Sequence, residues 1–175
     1  MITLGCTKTL GDQIGIKKLQ PYENQFPSIK SWHAGFKYIN RRKCILFTND
    51  MTLYSVFLYG VKKKERYDIK NTFMKYLSES FINEGIELSK CINFVDFEND
   101  KLEIFKTHDR SVLGSMNDYW RLITYYCEME KYIKTGAENT IFPCELNKEI
   151  NRTPMQCSKN GFYPIKKLHE QIGVK

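Results

Sequence analysis

The chain has 175 residues, of which 42% are hydrophobic and 27% charged, a balance that excludes a disordered or fibrous protein and fits one domain with room for a small appendage. The net charge of +7 and a pI near 9.0 favour an anionic partner, nucleic acid first among them. No stretch approaches the roughly 20 apolar residues that a membrane-spanning helix needs, so no membrane partner is expected.

In chain order, Ile2 to Cys6 reads as a short strand, and Thr7 is placed to cap a short helix that Gly15 ends. Residues 16–31 carry Pro21 and Pro27 without sustained periodicity and read as a loop. From Trp32 to Tyr59, three runs rich in aromatic and β-branched residues are separated by two polar turns, Asn40-Arg41-Arg42-Lys43 and Asn49-Asp50-Met51. They predict an antiparallel meander. Its middle run is apolar on both faces, as a central strand covered by helices would be.

Past Gly60, an amphipathic helix is predicted over residues 62–84, with Ile69, Phe73, Leu77 and Phe81 repeating every four residues. Leu102 to Lys106 alternates like a strand. A long helix follows from about Ser111 to Lys134 with the stripe Leu113, Met116, Trp120, Ile123 and Cys127, capped by Asp109 or Ser111 and closed by Gly136. Gly114, early in that helix, would allow close packing against the sheet. Residues 136–175 contain Pro143, Pro154, Gly161 and Pro164. They read as an irregular extension packing back on a core domain of residues 1–135 through Ile141, Phe142, Phe162 and Tyr163. The expected fold class is α+β: a mostly antiparallel sheet of four or five strands with two main helices on it.

The six cysteines, Cys6, Cys44, Cys91, Cys127, Cys144 and Cys157, form no C-x-x-C pair, and no histidine stands at finger-like spacing from them. No metal and no cofactor are therefore expected, and the thiols read as reduced, buried and cytoplasmic. Met1 to Cys6 lacks the basic start and apolar run of a signal peptide.

Candidate chemistry falls at three places. His33 and His108 are the candidates for proton transfer, because imidazole titrates near neutral pH. Asp50, beside Asn49 and Thr52, reads either as a substrate-orienting group or as turn chemistry. Arg41, Arg42 and Lys43 at a hairpin tip suit phosphate, since guanidinium forks match phosphate oxygens; a solvated turn is the plain alternative. Arg110, Ser111 and Asn117 lie at the start of the long helix, where free N–H groups favour anions, although no phosphate-loop or dinucleotide motif is present.

Taken together, Cys6-Thr7-Lys8, Ser31-Trp32-His33-Ala34, Asn40-Arg41-Arg42-Lys43, Phe47-Thr48-Asn49-Asp50 and the run from Asp109 to Asp118 resemble a bacterial domain family of unknown function carried on plasmids and other mobile elements. The tail's Asn151-Arg152-Thr153-Pro154-Met155 is similar as well. The family pattern falls on His33, Arg41, Arg42, Asn49, Asp50, Arg110, Ser111 and Asn117, and it departs at Gly35, where a larger or polar residue is expected. By analogy, such domains are akin to plasmid- and phage-borne Cas9 inhibitors (anti-CRISPR proteins) acting on guide RNA. The resulting expectation is an RNA- or ribonucleoprotein-directed protein. A metal-independent endoribonuclease is its catalytic form, and a non-catalytic inhibitor or antitoxin-like module is the alternative. Unpaired RNA is favoured over duplex DNA because exposed Tyr and Phe can stack on free bases.

Overall fold

The structure is a computed structural model that describes residues 1–22, 28–92, 94–98, 101–128, 141–155 and 161–173. The elements are β1 (Ile2–Cys6), α1 (Lys8–Gln13), β2 (Ser31–Ile39), β3 (Arg42–Asn49), β4 (Ser55–Tyr59), α2 (Lys63–Tyr67), α3 (Ile69–Asn83), a 3-10 turn (Leu88–Cys91), β5 (Leu102–Lys106), α4 (Arg110–Glu128), α5 (Ile141–Arg152) and α6 (Pro164–Ile172). They form an α+β fold around one five-stranded sheet of order β4-β3-β2-β1-β5.

The meander β2-β3-β4 is antiparallel, whereas β1 runs parallel to both β2 and β5, so the sheet is mixed. Tight turns force antiparallel pairing inside the meander. The connection from β1 through α1 to β2 is long enough to return the chain in the same direction.

Alternation along the strands splits the core in two. Leu4, Trp32, Phe47 and Leu58 face α1, α3 and α6, while Ile39, Leu46 and Phe57 face α4 and α5. Gly35 lies on the α4 side, where an added Cβ would stand 3.1 Å from Met116 Cε and 3.4 Å from Trp120 Nε1. Its missing side chain is what lets α4 sit close to the sheet. Gly114 has no such role: it is exposed, with nothing within 4 Å of an added Cβ.

Two further expectations change. The helix predicted over 62–84 is broken at Asp68 (φ −108°, ψ 55°) into α2 and α3, and the Glu65 carboxylate accepts the Lys62 N–H at 2.8 Å, offsetting the lysines at this helix start. The C-terminal region expected to be irregular contains two helices. Pro143 sits in the first turn of α5 and Pro164 is the first residue of α6, positions where a missing N–H costs nothing. Leu146, Ile150 and Met155 join the core, with Phe162 against it, while Tyr163 is exposed. The predicted helix end near Lys134 and Gly136, and the side chains of Ile141 and Phe142, lie outside the described residues.

Candidate functional site

The turn after β3 is organised by Asn49. Its Oδ1 accepts from Met51 N–H, Thr52 N–H and Thr52 Oγ1, and its Nδ2 donates to the carbonyls of Ile29 and Ser31 at 2.9 and 3.1 Å. The next residue, Asp50, donates its N–H to the Ser31 carbonyl and is thereby held against the start of β2 with its side chain 1% exposed.

One Asp50 oxygen, Oδ1, lies 2.6 Å from His33 Nδ1. His33 is fully buried on β2, and its Nε2 accepts the backbone N–H groups of His108 and Asp109, each at 3.3 Å. Two N–H donors at Nε2 require that the ring proton sit on Nδ1, so His33 donates to Asp50. Both ring nitrogens are thus engaged. The ring lies over Gly5 of β1, where a Cβ would come within 3.2 Å of His33 Cδ2 and Nε2. A glycine inside a strand flags such a close approach, and this was the sequence signal that went unread.

The second Asp50 oxygen, Oδ2, is buried and has no hydrogen-bond partner among the described residues. It faces His108 Nε2 at 3.9 Å. His108 follows β5, has 26% of its side chain exposed, and is stacked between His33 (centroids 4.7 Å apart) and Tyr22 (4.6 Å). Burial, with the neighbouring His33 ring second, lowers the His108 pKa below its ordinary value, while Asp50 and Asp109 pull the other way. Tyr22, half-buried in the loop before β2, was not singled out in the sequence, since a lone loop aromatic carries no pattern.

The remaining candidates divide by location. Asp109 caps α4, its Oδ1 accepting the N–H groups of Ser111 and Val112 at 2.7 and 3.2 Å, so a carboxylate already occupies the free donors of this helix start. Arg110, Ser111 and Asn117 are exposed along the first turns of α4. Arg41, Arg42 and Lys43 sit at the β2–β3 tip, Arg41 and Arg42 exposed. His33 and the Ile39–Arg42 pair are six residues apart along β2, roughly 20 Å at strand rise. At that far end Asn40 Nδ2 donates to the Cys127 carbonyl in the last turn of α4. The structure therefore brings His33, Asp50 and His108 together beside the amino end of α4, and sets the basic tip at its carboxyl end.

These observations define an α+β protein with an imidazole–carboxylate–imidazole cluster, His33 and Asp50 buried and His108 partly exposed, at the end of the sheet beside the start of α4. The chain belongs to the family described as Domain of unknown function (DUF6933), whose model matches residues 3–167. No curated protein and no solved structure matches it. Among the described residues, no helix is long and apolar enough to cross a membrane.

Proposed function

We propose that this protein is RNA-directed and cleaves phosphodiester bonds at the Asp50–His108 pair. The observation that carries the reading is the Asp50 carboxylate. His33 fixes one oxygen at 2.6 Å, and the other is buried, without a hydrogen-bond partner among the described residues, and turned toward the partly exposed ring of His108 at 3.9 Å. A carboxylate held by one imidazole and presented to a second is an arrangement for handling a substrate proton. Arg110, exposed two residues past His108, supplies positive charge for a phosphate, and the Tyr22 ring stacked on His108 offers an aromatic surface for a base.

In the reaction, a ribose 2′-oxygen bonds to the adjacent phosphorus as the bond from phosphorus to the 5′-oxygen breaks. The 2′-hydroxyl proton is drawn off at the Asp50–His108 pair, and the departing 5′-oxygen takes a proton from solvent. The ends left are a 2′,3′-cyclic phosphate and a 5′-hydroxyl. His33 is a positioning residue in this scheme, because neither of its nitrogens is free for the substrate. On the mobile-element reading, the RNA is a structured guide RNA of a host defence nuclease, and that is the first substrate to assay.

The test is incubation of labelled structured RNA with the wild type, His108→Ala and Asp50→Asn. Site-specific fragments with cyclic-phosphate ends, slowed at least about 100-fold in His108→Ala at unchanged melting temperature, are the expected result. Intact RNA, or wild-type rates in His108→Ala, overturns the reading. The exposed Arg41 and Arg42, set far from the cluster, favour one alternative, a non-catalytic module that docks RNA or ribonucleoprotein through the hairpin tip. Tight, salt-sensitive binding without fragments, weakened in Arg41→Ala/Arg42→Ala, would establish it.

A further inference from the structure

We infer that Asp50 Oδ2 and His108 Nε2 together hold a divalent transition-metal ion. Asp50, His33 and His108 offer ligand atoms that all lie within 4.8 Å of one another. His33 is not a direct ligand, because its Nδ1–H is given to Asp50 and its Nε2 is taken by two backbone N–H groups. It is the outer partner that orients the ligating carboxylate, as second-layer groups do at metal sites.

The argument turns on Asp50 Oδ2. A carboxylate oxygen buried to this degree is costly unless something positive or hydrogen-donating meets it. The group facing it is the Nε2 of His108, 3.9 Å away, too far for a hydrogen bond. A cation sitting about 2.0–2.2 Å from each atom at a tetrahedral angle would need the two to approach by only about 0.5 Å. His108, partly exposed, can supply that shift by a small ring rotation, whereas Asp50 is pinned by His33 and by the Asn49 turn.

One imidazole and one carboxylate suit manganese or zinc better than calcium or magnesium, which prefer all-oxygen surroundings. Two protein ligands leave several positions open to water and to a phosphate oxygen of the substrate. The catalytic use of the ion rests on the cleavage reading above, but its binding does not. In that use Asp50 and His108 would act through the ion they hold and not as bases themselves: the cation would supply a bound hydroxide to take the 2′-hydroxyl proton, becoming water, and would offset charge on the phosphate oxygen.

The experiment is titration of the full chain, without RNA, with Mn2+ followed by electron paramagnetic resonance, and with Zn2+ followed by calorimetry. Wild type should take up one ion per chain, and His108→Ala, whose side chain is partly exposed and should leave the fold intact, should bind at least about tenfold more weakly. Asp50→Asn should do the same. No saturable binding by the wild type, or equal binding by His108→Ala, overturns the inference. Cleavage that persists in EDTA with no ion bound would sink the cation and leave the cleavage reading standing. An ion bound by wild type and lost in His108→Ala, with RNA left intact, would do the reverse.

Discussion

Asn151 of α5 grips the backbone of Ser55 on the edge strand β4 at both ends: its Oδ1 accepts the Ser55 N–H at 2.7 Å, and its Nδ2 donates to the Ser55 carbonyl at 2.7 Å. One helical turn earlier, Asn147 does the same at Phe57, accepting at 2.6 Å and donating at 3.2 Å. Ser55 and Phe57 are the residues whose main-chain groups point off the open side of β4, the last strand on that edge of the sheet. Helix α5 thus finishes the edge with two amide side chains in place of another strand, and it removes a template for pairing with other chains.

Asn151→Ala should therefore be strongly destabilising, since it strands a buried N–H and a buried carbonyl together. At about 1–3 kcal/mol per unsatisfied group, the loss should reach several kcal/mol, and Asn147→Ala should cost somewhat less because its donor bond is longer. Denaturant unfolding measures both. Light scattering should also show self-association of the Asn151 variant near its midpoint, through the uncovered β4 edge. A change of under about 0.5 kcal/mol would mean that water replaces the amide without loss.

Much of the meander was readable because it obeys local rules. The runs are rich in aromatic and β-branched residues, the turn residues stand where strands stop, and Thr7 caps α1 through its hydroxyl, as its residue type predicts. At Asn49-Asp50 the sequence offered turn chemistry or a site, and the structure divides the two: Asn49 is the turn and Asp50 belongs to the cluster. The gathering of His33 with His108 was not readable, because it depends on β1 running parallel between β2 and β5, and parallel neighbours leave no short-range signature. Asn147 and Asn151 were hidden for a similar reason. Their i, i+4 spacing puts them on one helical face, but only the sheet edge gives that face a purpose. Of the C-terminal prolines, Pro154 does follow a helix end, but Pro143 and Pro164 stand in the first turns of α5 and α6, where proline is tolerated, so their presence carries no sign of irregular chain.

At the β2–β3 tip, Asn40 and Arg41 both have positive φ, 48° and 62°. Hairpin turns of this kind favour Asn followed by Gly, because a Cβ in the left-handed region costs roughly 1–2 kcal/mol. Arg41→Gly should relieve that strain. The extra freedom of glycine in the unfolded chain takes back about 0.4–1 kcal/mol, so a net gain on the order of 0.5 kcal/mol is expected. Thermal melting decides it. If the same variant binds RNA less tightly while melting higher, the arginine is kept for its charge and not for the turn.

Burial pushes the thiols of Cys6 and Cys127 up to about 12 and those of Cys44 and Cys91 up to about 11. The half-buried thiol of Cys144 is raised as well, again chiefly by burial. Only the thiolate alkylates, and at pH 8 a thiol of pKa 11 is ionised in about one molecule per thousand. Among these five cysteines, iodoacetamide should reach Cys144 first, and the other four only on unfolding, as peptide mapping by mass spectrometry will reveal. The linkage has a definite sign. Protons held more tightly in the folded state stabilise it below the ordinary thiol value of 9.0, and this support fades as pH rises beyond it. Rapid native alkylation of Cys6 or Cys127 would contradict the packing of both cores.

Gly5 offers the most direct probe of the cluster without touching any of its polar atoms. An alanine there would bring its methyl to 3.2 Å from His33 Nε2 and Cδ2, with the Thr107 Cα 3.4 Å away. The imidazole is held at both nitrogens and cannot swing aside freely, so the clash must be relieved by moving His33 off the His108 and Asp109 N–H groups or by spreading β1 from β2. Gly5→Ala should cost about 1–3 kcal/mol, as overpacking of a filled interior does. It should also change the nitrogen chemical shifts of His33, because weaker donation to Nε2 alters the balance between the two ring nitrogens. An equal loss of stability with unchanged His33 resonances would mean that the strands yield and the ring stays. In that case Asp50 would keep its present aim, and cleavage by the variant should be undiminished.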